Sequence, residues 1–166
     1  MFSEENPDKS LVDVLSYCLM PNHFHLLLRQ KTENGISQFM KKISTAYSMY
    51  FNTKYDHSGV LFQGRFKSQH VNRDSYLQCL FAYIHLNPLK LFEPLWKEKG
   101  VIDVGGARLF LQNYRPSSYH DYCIDKRKET SALAYNEARE LFGENISLDS
   151  LLQWFDNGVF TKDRPL

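Results

Sequence analysis

The apolar positions change their period several times along the chain, and each change marks an element. Leu11 to Leu19 alternates loosely and is rich in Val and Leu, so it reads as a buried strand. Pro21-Asn22 is a turn, and His23 to Arg29 is the next strand. The two strands are expected to pair as a hairpin. Asn34-Gly35 breaks the chain. Ile36, Phe39, Met40, Ile43, Tyr47, Tyr50 and Phe51 then recur at helical spacing, which predicts an amphipathic helix with Lys41 and Lys42 off its apolar stripe. The stripe is read as core rather than as a platform for stacked bases.

After a turn at Asp56 to Gly59, Val60 to His70 reads as a strand interrupted by Gly64, as a bulge would do. Phe66, Ser68 and His70 would face one way, and Arg65, Lys67 and Gln69 the other. Asp74 or Ser75 can cap a helix from about Ser75 to Leu86, which Pro88 ends by disfavouring helical geometry at Asn87. Along it Tyr76, Leu80, Tyr83 and Asn87 share one line, with Leu77, Phe81 and Ile84 on the neighbouring buried line. Leu91 to Asn113 is poorly periodic, with Gly100 and Gly105-Gly106 as breaks. Arg115 to Tyr122 is a turn entering a short polar-aromatic element, and Lys126-Arg127-Lys128 reads as a solvated loop. Ser131 to Phe142 predicts a helix ended by Gly143. Ser147 caps a last helix carrying Leu148, Leu151, Leu152 and Phe155, stopped by Asn157-Gly158.

Composition narrows the class. With 166 residues, 43% hydrophobic and 23% charged, the chain is long enough for one domain with a substantial core. No apolar run reaches the length of a membrane span, and the polar, acidic N-terminus is unlike a signal peptide. Cys18, Cys79 and Cys123 are widely spaced and read as small buried residues of a reduced, cytoplasmic protein. The net charge of +1 hides a segregation. His23 to Lys90 carries nine basic and three acidic residues, whereas Leu91 to Leu166 carries ten basic and twelve acidic ones. A basic segment around the histidines suits a polyanionic partner, or simply a solvated face.

The chemistry-bearing stretch is Met20-Pro21-Asn22-His23-Phe24-His25-Leu26-Leu27-Leu28. On a strand, residues two apart point to the same side, so His23 and His25 would present two imidazoles together, a chelating half-site. A catalytic metal usually needs a third protein ligand and an open position. Asn87 offers an amide oxygen suited to a hard cation. One turn before it, Tyr83 offers a phenol, a possible nucleophile, though a free phenol, with a pKa of about 10, attacks weakly at neutral pH. Taken residue by residue, bland readings stay open: a core histidine pair, a half-buried helical tyrosine, and an asparagine that merely stops a helix before proline.

Three blocks carry a resemblance. Leu19-Met20-Pro21-Asn22-His23-Phe24-His25-Leu26-Leu27, Gly59-Val60-Leu61-Phe62-Gln63-Gly64-Arg65-Phe66-Lys67-Ser68 and Tyr83-Ile84-His85-Leu86-Asn87-Pro88 resemble, in order and spacing, the HUH single-tyrosine transposases (IS200-like), in particular the REP-associated branch. The likeness spans about Leu11 to Tyr122. It implies His23, His25 and Asn87 as metal ligands, Tyr83 as nucleophile, and Mg²⁺ or Mn²⁺ as cofactor. It implies Arg65 and Lys67 on DNA backbone; Lys41 and Lys42, off the apolar stripe of their helix, are further candidate DNA-contacting cations. It implies single-stranded or hairpin DNA as partner, a nucleoid-associated setting, no membrane, and a homodimer in some relatives. The implied reaction is strand cleavage and rejoining through a 5′-phosphotyrosine.

The implied fold class is α+β: a ferredoxin-like α/β sandwich with an antiparallel sheet, truncated at its N-terminus, plus a C-terminal helical extension. Family members carry a strand and a helix before the strand matching Leu11 to Leu19, where this sequence is polar. The sheet is therefore expected to be short of one central strand, with an open edge. The organisation expected is a polar segment over 1–10, a catalytic domain over 11–122 and an extension over 123–166 to which no chemistry is assigned. Two other functions remain open: a non-catalytic single-strand or hairpin DNA-binding protein, and a metal-dependent phosphodiesterase that uses water.

Overall fold

The computed structural model describes residues 10–157. The expected polar segment 1–10, Ser10 aside, and residues 158–166 of the extension, with Gly158 of its final stop, lie outside the described residues. Among those described, the order is two strands followed by seven α-helices, an α+β fold whose sheet has two strands. β1 (Val12–Leu19) and β2 (Phe24–Gln30) form the expected antiparallel hairpin. The Met20 amide donates to the His23 carbonyl at 2.8 Å across its turn. The other edge of β1 is partly covered. Cys18 and Ser117 form an isolated antiparallel bridge, and the Leu19 amide donates to the Pro116 carbonyl at 2.8 Å. Residues 116–118 thus satisfy backbone groups that an open strand would leave to water.

The described chain divides into two compact units: residues 10–13 with 28–70, and residues 14–27 with 71–157. In the first, α1 (Gly35–Tyr55) starts from Asn34 in the left-handed region, φ 57°. Gly35 is required there, because a Cβ would run into the Leu11 carbonyl. The aromatic stripe of α1 is not the core expected of it. Only Gly35 and Met40 are buried, while Tyr47, Tyr50 and Tyr55 are 50%, 56% and 58% exposed. Its rings pack mainly on one another and on Phe62, with centroids 4.7 Å apart for Phe51–Tyr55 and 6.2 Å for Tyr47–Phe62. The strand expected over Val60 to His70 is also absent. No strand lies beside this segment to take its backbone hydrogen bonds, so it runs as bends and irregular chain with only Leu61 and Phe62 half-buried.

The second unit holds the main core. α2 (Asp74–Leu86) is capped by neither Asp74 nor Ser75; Arg73 occupies the cap position without a side-chain bond. From Cys79 to Leu86 every residue of α2 is buried, so the helix is enclosed on all faces. Phe81 stacks on Phe142 at 3.9 Å and meets Tyr122 edge-on at 5.2 Å. Truncating a ring so enclosed costs about 3–5 kcal/mol. α2 does end at Leu86, yet Asn87 keeps right-handed helical geometry (φ −54°, ψ −38°), and the chain tightens into a 3₁₀ turn over Asn87–Leu91. Pro88 sits in the first turn of that element, where its missing amide costs nothing.

The stretch without clear periodicity contains α3 (Trp96–Lys99) and α4 (Val104–Asn113). Gly105-Gly106 is the first turn of α4, not a break. Asp103 caps it by accepting the Gly106 amide at 2.8 Å, and a side chain on Gly106 would collide with that carboxylate and the Phe92 ring. α5 (Tyr119–Cys123) follows. Arg127 lies in no solvated loop: its side chain is 7% exposed and pairs with the fully buried Asp121 carboxylate. The helix expected from Ser131 begins only at Tyr135. A 3₁₀ turn over Lys128–Ala132 comes first, and the Ala134 amide is drawn away to the Val14 carbonyl at 2.9 Å. α6 (Tyr135–Phe142) then ends at Gly143, φ 88°, and Ser147 caps α7 (Leu148–Asn157) through the Ser150 amide at 3.2 Å. None of the described helices is long and apolar enough to cross a membrane.

Candidate functional site

The hairpin turn and α2 supply the site, and both belong to the second unit. His23 is exposed just before β2, and His25 is half-buried on it. Their rings lie edge to face with centroids 5.1 Å apart. The His23 Nδ1 lies 2.7 Å from the Asn22 side-chain oxygen; a proton on Nδ1 would donate there and keep the lone pair on Nε2. Burial holds the His25 pKa down, with the His23 and Lys97 charges adding to it, to about 4. His25 is therefore neutral near pH 7 and its lone pair is available to a cation.

Tyr83 reaches the same place from α2. Its ring meets His25 edge-on at 5.5 Å. The ring is 5% exposed, flanked by Phe155 of α7 in a stacked arrangement at 6.4 Å. Above it lies Lys97 of α3: Nζ donates to the Tyr83 hydroxyl oxygen at 2.9 Å and sits 4.3 Å from the ring centroid. Asn87 follows Tyr83 by four residues, and its helical backbone keeps the two one turn apart. It is 2% exposed, and its side-chain nitrogen is buried without a hydrogen-bond partner.

Among the described residues no group of three His, Cys, Asp or Glu side chains could hold a metal ion. A cation here would rest on two imidazoles and one carboxamide. The unpaired Asn87 group is an N–H donor, which a cation does not satisfy; the carboxamide oxygen is the atom a hard cation would take. The donor set thus fits a divalent ion that keeps water or phosphate oxygens in its remaining positions.

Of the residues singled out in the sequence, His23, His25 and Tyr83 come together, with Asn87 at the end of the same helix. Arg65 and Lys67 lie on the irregular segment of the first unit, and Lys41 and Lys42 on α1; all four are exposed. The cysteines supply no nucleophile, since burial pushes the thiols of Cys18, Cys79 and Cys123 up to about 12. Lys97 and Phe155 carried no signal of their own. Lys97 lies fourteen residues past Tyr83, beyond a proline and an aperiodic stretch, and Phe155 belongs to an extension to which no chemistry had been assigned.

The site thus gathers two imidazoles, a phenol and an ammonium. Residues 2–87 match the family described as transposase IS200 like. The match covers just over half of the sequence, and the chain belongs to that family. Its function is accordingly of the transposase type, with DNA as partner. No curated protein and no solved structure matches the chain.

Proposed function

We propose that this chain is a metal-dependent single-strand DNA transposase that cleaves and rejoins DNA through a 5′-phosphotyrosine on Tyr83. The observation that carries the reading is the 5.5 Å edge contact between the Tyr83 and His25 rings, with His23 beside His25. It joins the phenol to the only imidazole pair on the hairpin. In the cleavage step the Tyr83 oxygen bonds to phosphorus and the bond from phosphorus to the 3′ oxygen breaks. The phenol proton passes to solvent, and the departing 3′ oxygen takes a proton from solvent. In rejoining, a 3′-hydroxyl displaces the phenol oxygen, so the phosphodiester is restored without ATP.

His23, His25 and Asn87 would hold the cation, and Mg²⁺ or Mn²⁺ bound there would polarise the scissile phosphate. The neutral His25 suits that task at physiological pH. Arg65 and Lys67, exposed and basic, together with Lys41 and Lys42, would grip the backbone of a single-stranded or hairpin substrate in the cytoplasm, at the nucleoid.

The test is incubation of purified protein with end-labelled hairpin DNA and Mg²⁺ or Mn²⁺, followed by denaturing electrophoresis. Wild type should give a denaturation-resistant adduct and a free 3′-hydroxyl fragment. Tyr83→Phe should give neither, and His25→Ala should give adduct only weakly at any metal concentration. Equal adduct from Tyr83→Phe would remove Tyr83 from its role.

A second reading has one observation in its favour: Tyr83 is 5% exposed, with Phe155 and Lys97 against it. A chain that binds single-stranded DNA without cutting it would keep such a covered phenol. It predicts salt-sensitive binding with no adduct under any metal.

A further inference from the structure

We propose that Lys97 is a catalytic residue of this site, bonded at once to the Tyr83 oxygen and to a non-bridging oxygen of the phosphate it attacks. The inference rests on Tyr83 being the nucleophile. Lys97 Nζ stands 2.9 Å from the Tyr83 hydroxyl oxygen, within hydrogen-bond range. An ammonium carries three N–H donors, and the Tyr83 oxygen uses one. Among the described residues no carboxylate pairs with Lys97. In attack on a phosphodiester the incoming oxygen and the non-bridging oxygens surround the same phosphorus atom, a few ångströms apart. A cation within reach of the first is within reach of the second.

The backbone below Lys97 is held in place. Its neighbour Trp96 is 2% exposed and packs on Phe155 with ring centroids 4.7 Å apart. Phe155 in turn flanks the Tyr83 ring. The ammonium is therefore delivered by a buried anchor rather than by a free side chain on an open loop, which is the preorganisation that makes a charge useful in a transition state. Charge builds on the non-bridging oxygens as the Tyr83 oxygen bonds to phosphorus and the 3′ oxygen leaves. In rejoining, the leaving group is the Tyr83 oxygen itself, and a donor already bonded to it stabilises its departure. Lys97 thus serves both half-reactions.

The experiment compares wild type, Lys97→Met, Lys97→Arg and Lys99→Met in single-turnover adduct formation with hairpin DNA and saturating Mn²⁺. DNA affinity is measured in parallel by fluorescence anisotropy. Lys99→Met removes the same charge from the same short helix without touching Tyr83. Lys97→Met should slow adduct formation by about a hundredfold, the effect of losing one transition-state donor. DNA affinity should stay within about threefold, the loss of no more than one phosphate contact. Lys97→Arg should recover most of the rate, and Lys99→Met should match wild type. Rejoining from isolated adduct should slow in Lys97→Met as well. A wild-type rate in Lys97→Met, or a loss seen entirely as weaker DNA binding, overturns the role of Lys97 while Tyr83 keeps its own. Absence of any Tyr83-dependent adduct in wild type overturns both.

Discussion

Replacing Arg127 with methionine should damage this protein far more than its place in a Lys-Arg-Lys run suggests. Its guanidinium bonds both oxygens of Asp121 and donates to the Ser117 and Arg115 carbonyls at 2.8 and 2.9 Å. It also reaches the Tyr17 hydroxyl at 3.3 Å. The side chains of Arg127 and Asp121 are 7% and 0% exposed. Methionine fills similar volume but leaves the Asp121 carboxylate with the Thr130 hydroxyl, at 2.6 Å, and the backbone amide of residue 127, and it removes the bonds to the Ser117 and Arg115 carbonyls. Breaking a buried pair by removing one partner costs about 3–5 kcal/mol, against about 0–1 kcal/mol for an exposed pair. In a chain of this size each kcal/mol moves Tm by about 2–4 °C, so the melt should fall by roughly 6–20 °C. Thermal and urea unfolding followed by circular dichroism at pH 7 would read it. Arg127→Met combined with Asp121→Asn should be more stable than Arg127→Met alone, because the stranded charge is gone. A loss within about 1 kcal/mol, the range of exposed pairs, would refute the reasoning and return Arg127 to the solvated loop. Asp121 adds a pH signature. Burial opposes its charged form, yet the bonds from Arg127 and Thr130 outweigh it and leave the pKa lowered. The stabilisation is then present at neutral pH and lost as pH falls below the ordinary carboxylate value near about 4 and through the lower folded-state value.

Other outcomes follow from the same structure. His85 is fully buried, its Nδ1–H donating to the Phe81 carbonyl at 2.9 Å and its Nε2 facing the Ser118 hydroxyl at 2.8 Å, and burial holds its pKa down to about 3. The unfolded chain takes that proton first, so stability should fall as pH drops from about 6.5, with a slope approaching about 1.4 kcal/mol per pH unit. The urea midpoint of His85→Gln should vary less between pH 6.5 and 5 than that of wild type; equal slopes would contradict this. Arg65→Ala with Lys67→Ala should lower the salt dependence of single-strand binding by about 1.4 in the log–log slope, with stability changed by less than about 0.5 kcal/mol. An unchanged slope would take both cations out of the DNA interface.

The hairpin and α2 were legible because their signals are local. The Pro21-Asn22 turn, the apolar strands and the 3.6-residue line through Tyr83 and Asn87 all act within a few residues of each other. Residues 60–70 were not legible, because a strand exists only where a neighbour takes its hydrogen bonds, and pattern alone does not supply one. The α1 stripe failed for a related reason: periodicity tells which residues share a face, not what covers that face. Arg127 illustrates the reverse case. Between two exposed lysines it looks solvated, and only the arrival of Ser117, Arg115 and Asp121 buries it. In the site, the imidazole pair was readable from spacing, whereas the phenol was singled out only by the resemblance, since its spacing alone also suits a half-buried helix residue. The lysine above the phenol was not readable, because a contact across fourteen residues and a proline leaves no period to read.

The most direct measurement is mass-spectrometric mapping of the DNA-linked residue after reaction with a short hairpin oligonucleotide. The tryptic peptide spanning Asp74 to Lys90 holds two tyrosines, Tyr76 and Tyr83, so fragmentation must separate them. The account predicts a nucleotide 5′-phosphate on Tyr83 and an unmodified Tyr76. Modification at Tyr76 or at any other residue, or strand cleavage without a protein-linked nucleotide, would contradict it.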